Sequence, residues 1–306
     1  MAGGAAMALG LGLPMRHAMA ATDQLRLALL KQPPHLDPTI GDDPATLAVS
    51  YQNIFEGLTR IDEGGNVLPG LAKSWTVSED RLAYAFALQD QARYHDGTDF
   101  DASHVVFSLK RLLAADNAAY SNIADVAADG NLGARITLKA PDEKLLFNLG
   151  LPAAAMIAPE SADNNRTVPL GTGPFAFVEW NDGESIVLER NEDYWGVHPR
   201  ITVANFIFVP DAATGISALL DNELDGFPNV PDAAALAPMQ SKPGYIVLTG
   251  KGPDGAPRHG AWNVGLTGMW TDQPVEGCML AGIRWLSDTS AATTGPAPMS
   301  NTDEEQ

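Results

Sequence analysis

From Gln24 to Leu30 polar and apolar side chains alternate, the period of a strand with one face on a core. Pro33, Pro34 and Pro38 then impose an extended loop. Asp43 followed by Pro44 predicts a helix start, a capping carboxylate and then a residue with no amide hydrogen to satisfy. Leu47, Tyr51, Ile54, Phe55 and Leu58 recur at three- and four-residue spacing, which extends that helix to about Gly57. Strands are predicted at Ser74 to Val77 and Ala83 to Leu88, and a turn at His95-Asp96-Gly97-Thr98. A second helix follows Asp101 and buries Val105, Val106, Leu109, Leu112 and Leu113. Arg135 to Lys139 alternates again, and Asp142 opens a short helix. Beyond the Pro/Gly-rich Pro169 to Pro174, strands are predicted at Phe175 to Trp180, Ser185 to Arg190 and Ile201 to Phe208. Asp211 then caps a helix carrying Ile216, Leu219 and Leu220. Mixed strands and helices without an internal repeat make an α/β or α+β protein.

Two segments break this pattern. Gly4 to Pro14 is small and apolar, and Ala18-Met19-Ala20 has the form of a signal-peptidase site, so residues 1–20 read as an export signal. No basic residue precedes the apolar run, and the expectation is that the natural start lies upstream; a disordered Ala/Gly arm is the alternative. Near Thr249 the second change begins. Residues 250–306 are rich in Gly, Pro, Thr and Ser, lack either period, and scatter Trp262, Trp270 and Trp285. They are expected to form an atypical, poorly ordered tail, and Lys251 onward reads as an out-of-frame translation.

Composition narrows the function classes. An apolar share of 45% suits a folded protein, and the net charge of −19 disfavours nucleic acid and anionic lipid as partners. Cys278 is the single cysteine, which rules out an internal disulfide. The six histidines show no metal-ligand spacing, and neither a nucleophile elbow nor a phosphate-binding loop is present. Pro174 removes an amide donor from the glycine-rich Gly171-Thr172-Gly173-Pro174. No cofactor or metal is expected; an orphan hydrolase is the enzymatic alternative.

Several ordered motifs point elsewhere. They are Leu36-Asp37-Pro38, Asn53-Ile54-Phe55-Glu56-Gly57-Leu58, Pro69 to Trp75 with Ser78-Glu79-Asp80, and Tyr84 to Leu88 with Tyr94-His95-Asp96-Gly97-Thr98. Val105 to Leu109, Gly171 to Phe175, Arg190-Asn191-Glu192-Asp193-Tyr194-Trp195 and Glu223-Leu224-Asp225 continue the series. Together, over residues 24 to 248, they resemble the extracellular solute-binding proteins of dipeptide and oligopeptide ABC importers, family 5. Arg81 and Gln91 depart from that pattern, standing where the family usually has glycine.

The resemblance implies an α/β, periplasmic binding protein-like (type II) fold, of which this chain carries the N-terminal portion with the second lobe missing. It implies a first lobe from residues 21–63 plus 168–249 and a subdomain, residues 64–167, inserted in it. By the same resemblance Ile40, Gly41, Asp42 and Asp43 lie in a loop facing the ligand cleft, and Tyr120 offers an aromatic ring to the ligand. The implied role is non-catalytic: a periplasmic monomer that captures a peptide or similar small solute for a permease in the inner membrane. Dipeptide, longer peptide, glutathione, opine and nickel chelate all remain open as cargo, and an interaction module without transport is the alternative role.

Overall fold

A computed structural model describes residues 23–62, 65–251 and 257–263 of the chain. In chain order, β1 (Gln24–Leu29) leads to helix α1 (Pro44–Ser50) and to β2 (Thr59–Ile61) paired with β3 (Val67–Pro69). Next come β4 (Ala72–Val77), β5 (Ala83–Leu88), helix α2 (Ala102–Ala114), β6 (Ile123–Ala128), β7 (Gly133–Leu138) and the short helix α3 (Leu145–Asn148). The remainder is β8 (Phe175–Asn181), β9 (Ser185–Arg190), β10 (Val203–Phe208), helix α4 (Ala212–Leu220), β11 (Gly226–Phe227), β12 (Tyr245–Lys251) and β13 (Pro257–Asn263).

A seven-stranded sheet in the order β12-β13-β11-β1-β10-β9-β8 carries the molecule. β1 lies inside it, parallel to β10 on one side and to β11 on the other. Both of its faces are therefore covered. Leu25, Leu27 and Leu29 pack with Ile54, Phe55, Ile186 and Phe206 on one face, while Ala28 joins Ile216, Leu219 and Phe227 on the other. α4 links β10 to β11 as the crossover that parallel strands need.

Residues between β3 and β8 build a second, antiparallel sheet in the order β4-β5-β7-β6. Strict alternation in β5 turns Tyr84, Phe86 and Leu88 inward, where they form one buried cluster with Ile136 and Leu138 of β7 and Val105, Leu109 and Leu112 of α2. The start of α2 is set by a capping box: Asp101 accepts from Ser103 N at 2.8 Å, and Asp101 N donates to His104 Nδ1 at 3.2 Å.

Two expectations are corrected. α1 stops at Ser50 instead of reaching Gly57, because Tyr51 is extended and Gln52 is left-handed at φ 59°. The chain beyond is drawn into backbone pairing with residues 173–175, through Gly173 N to Ile54 O and Phe175 N to Asn53 O, both 2.9 Å. Residues 257–263, expected in an unstructured tail, form β13 between β11 and β12. Its Trp262 ring lies over Gly226, where an added Cβ would come within 2.3 Å of the ring. Arg81, at a turn position of glycine in the family, keeps that turn by adopting φ 56° itself. The export-signal segment and residues 264–306 lie outside the described residues.

Candidate functional site

Ligands of open parallel sheets bind beyond the carboxyl ends of the strands, where side chains of successive loops converge. Here those ends are Leu29, Phe208 and Phe227, and the segment that follows β1 holds four of the five residues predicted to meet a ligand. Asp37 anchors the segment. It is buried and accepts from Thr39 N at 2.8 Å and from Arg111 Nη2 at 3.1 Å, and Arg111 also donates to the Thr39 hydroxyl. Because Arg111 belongs to α2, the loop is held by the helix that packs on the four-stranded sheet as well as by its own sheet.

Above this anchor Ile40 is 40% exposed, and Gly41 and Asp42 are exposed with it. Asp43 turns inward instead. Its carboxylate accepts from Ala45 N at 3.0 Å and Thr46 N at 3.2 Å, and pairs with Lys31 at 2.8 Å. Partial burial pulls the Asp43 pKa up, but Lys31 and the two amides outweigh that and hold it below the usual carboxylate range. Ile40, Gly41 and Asp42 thus form an exposed ledge, and Asp43 ends it as a helix cap. Tyr120 does not join them. Its ring is 2% exposed in the core between α2 and the four-stranded sheet, and its hydroxyl donates to Asn148 O at 2.7 Å, in place of the expected ligand-facing aromatic.

The opposite end of the same strands is closed by a polar node. Phe175 pairs with Arg190, Arg190 N with Thr202 O, and Val203 with Gln24, so these residues share the amino-terminal edge of β1 and β10. At that edge Glu56 is buried and accepts three hydrogen bonds. Tyr194 Oη donates to Oε1 at 2.8 Å, while Trp195 Nε1 at 3.0 Å and Thr172 Oγ1 at 2.9 Å donate to Oε2. Burial pushes the Glu56 pKa up to about 7 against the opposing pull of these donors and of Arg60.

Beside it, His95 Nε2 donates to Gly173 O at 3.0 Å while Nδ1 is buried without a partner among the described residues; burial lowers its pKa to about 4. Gly171 and Gly173 pass so close to the 53–54 backbone that an added Cβ would lie 1.9 Å from Ile54 O and 2.2 Å from Asn53 O. Gly173 therefore serves close approach of the two backbones. Sequence reasoning placed Glu56 at a helix end; a carboxylate in the apolar run Ile54 to Leu58 was the available signal of a buried role. The Asp37–Arg111 pair, 74 residues apart, had no local signal. Among the described residues no three His, Cys, Asp or Glu converge as a metal site would need, and no helix is long and apolar enough to cross a membrane.

Comparison with known proteins matches residues 66–273 to the family described as bacterial extracellular solute-binding proteins, family 5 Middle, a span that runs past the expected break near residue 249. The nickel-binding periplasmic protein of Escherichia coli (strain K12) is 34% identical over 185 residues, covering 56% of this chain and 35% of that protein. The glutathione-binding protein GsiB of Salmonella paratyphi A is 32% identical over 200 residues, covering 62% and 39% respectively. Among solved structures, the binding protein AgaA from A. tumefacien R10 in complex with agropinic acid superposes with a TM-score of 0.70 at 28% identity, covering 75% of this chain and 48% of that one. The chain thus spans between about a third and a half of the length of these relatives. With the fold, the three motifs that meet at Glu56 and the family match over most of its length in agreement, the chain belongs to the bacterial extracellular solute-binding proteins of family 5.

Proposed function

We propose that this chain forms the solute-receiving first lobe of an exported binding protein that hands its cargo to an ABC permease. The observation that carries the reading is the ledge of Ile40, Gly41 and Asp42, held at the carboxyl end of a central parallel strand by the buried Asp37 paired with Arg111. Backbone amides of an exposed loop on a rigid support suit recognition of carboxylates and peptide groups. The relatives' names mention nickel, glutathione and agropinic acid. Cargo so diverse supports a shared lobe that offers a general surface, with selectivity set by residues other than these.

Amide-resolved NMR during titration with glutathione, a dipeptide and agropinic acid tests this reading. Shifts concentrated at residues 39–43 are expected. Shifts confined to other surfaces, or micromolar affinity without involvement of this loop, would overturn it.

A further inference from the structure

Beside the ledge lies a histidine that the fold leaves half satisfied. His35 is 9% exposed, and its backbone O accepts from the buried Thr46 hydroxyl at 2.6 Å, which fixes the residue against the first turn of α1. Its ring lies against Gly41: a Cβ added there would stand 3.5 Å from Nε2 and 3.7 Å from Cε1. The two ring nitrogens differ. Nδ1 is buried without a partner among the described residues, whereas Nε2, likewise without one, is not closed off from the surface. A buried orphan lone pair is tolerated better than a buried orphan N–H, so the neutral ring places its hydrogen on Nε2. A rigid, nine-tenths buried donor thus opens beside the exposed Gly41 and Asp42, whose own N–H groups donate to nothing among the described residues.

Charge decides which acceptor suits these donors. Asp42 and Asp43 are neighbours in the loop, and Lys31 already pairs with Asp43 at 2.8 Å. A carboxylate anion would approach two carboxylates and a cation that is already engaged, whereas a neutral carbonyl oxygen meets no such repulsion. An amide also brings N–H groups, which the exposed Asp42 carboxylate can accept. We propose that His35 is a solute-contacting residue of the ledge, its Nε2–H donating to an amide carbonyl of the bound molecule beside the Gly41 and Asp42 amides. The contact favours peptide-like solutes over simple carboxylates. This role rests on the ledge being the solute-receiving surface, and it gives that surface a side-chain donor.

NMR of the full chain that reads both backbone amides and histidine ring nitrogens, at about pH 8 where imidazoles are neutral, tests the assignment during titration with glycylglycinamide and, separately, acetate. The free chain should show the Nε2–H tautomer at His35. Glycylglycinamide should shift His35 Nε2 together with the amides of residues 39–43, and acetate at equal concentration should leave Nε2 in place. His35→Phe keeps an aromatic ring and removes the donor. Its affinity for glycylglycinamide should fall about three- to tenfold, the worth of one hydrogen bond, while the urea midpoint stays level or rises because no orphan nitrogen is left buried. Should that variant lose stability instead, the ring shifts of the wild-type chain decide alone. Four results would overturn the role of His35 and leave the ledge intact: the Nδ1–H tautomer, shifts at residues 39–43 with an unmoved Nε2, an equal response to acetate, or unchanged affinity in a stable His35→Phe. Absence of any shift at residues 39–43 would overturn the ledge itself, and this role with it.

Discussion

At the amino-terminal ends of β1 and β10, the buried Glu56 carboxylate receives three donors, and Gly171 and Gly173 let two backbones touch. At the carboxyl ends of the same strands, Ile40, Gly41 and Asp42 face solvent over the half-buried Asp37–Arg111 pair. The first arrangement tolerates almost no change in volume or hydrogen-bonding capacity. The second asks only that the support stay in place.

Glycine-to-alanine substitution at each end probes this contrast most sharply. Gly171→Ala would put a methyl group 1.9 Å from Ile54 O, backbone against backbone, so the strand pairing at residues 53–55 must shift. We expect a loss of about 3 kcal/mol or more in urea unfolding, the scale of overpacking that side-chain rotation cannot relieve. Gly41→Ala would meet only the His35 ring, at 3.5 Å, an ordinary contact. Its cost should be within about 0.5 kcal/mol. Equal costs at the two glycines would remove the distinction.

Acid–base behaviour offers a second test, smaller in effect. Glu56 has a folded-state pKa raised from 4.5 to about 7, so between those values the native state holds a proton that the unfolded chain has released. Its contribution therefore falls as pH rises through the window, by about 1.4 kcal/mol per pH unit. His95 has the opposite sign. Its folded-state pKa is lowered from 6.5 to about 4, so its contribution rises with pH over that interval. Asp96 lies near His95 and Arg60 near Glu56, and neither reverses these directions. The carboxylates lowered from 3.8, Asp43, Asp80, Asp101 and Asp211, act below the window. The wild-type chain should thus show nearly level stability from about pH 4.5 to 6.5, two slopes cancelling. Glu56→Gln should expose the rising His95 slope, and His95→Gln the falling Glu56 slope. Urea midpoints measured across pH for the three proteins decide it; parallel profiles would mean that the two groups are not buried as the geometry has them.

The same contrast explains what could be read in advance. Alternation located β7, which keeps one face on the core of its sheet, and it located β1 although both faces of that strand are covered; β5 obeys the period at every residue. Capping carboxylates located α2 and α4 through Asp101 and Asp211. β6 escaped because its pairing with β7 is irregular between Ile123 and Asp125, which breaks the period. β13 escaped because its place depends on β11 and β12, not on its own pattern, and it carries a single large buried ring, Trp262. At the node, all the motif segments were visible in the sequence, but their meeting at one carboxylate requires contacts across 116 to 139 residues. At the ledge the residues were placed by resemblance, and Tyr120 shows where that fails: an aromatic in the right segment can serve its own core.

The smallest expected effect lies within the ledge loop. Asp43→Ala removes the acceptor for Ala45 N and Thr46 N, a loss of about 1 kcal/mol for a helix cap, while the pair with Lys31 adds little because that lysine is largely exposed. Ile40→Ser should change stability by no more than about 0.5 kcal/mol, since the side chain is 40% exposed and keeps much of its contact with water in the folded state. Urea denaturation of both variants at one pH gives the comparison directly. A cost at Ile40 equal to or above that at Asp43 would mean that the ledge is part of the core, and the carboxyl end of the sheet would then be given over to structure no less than the Glu56 end.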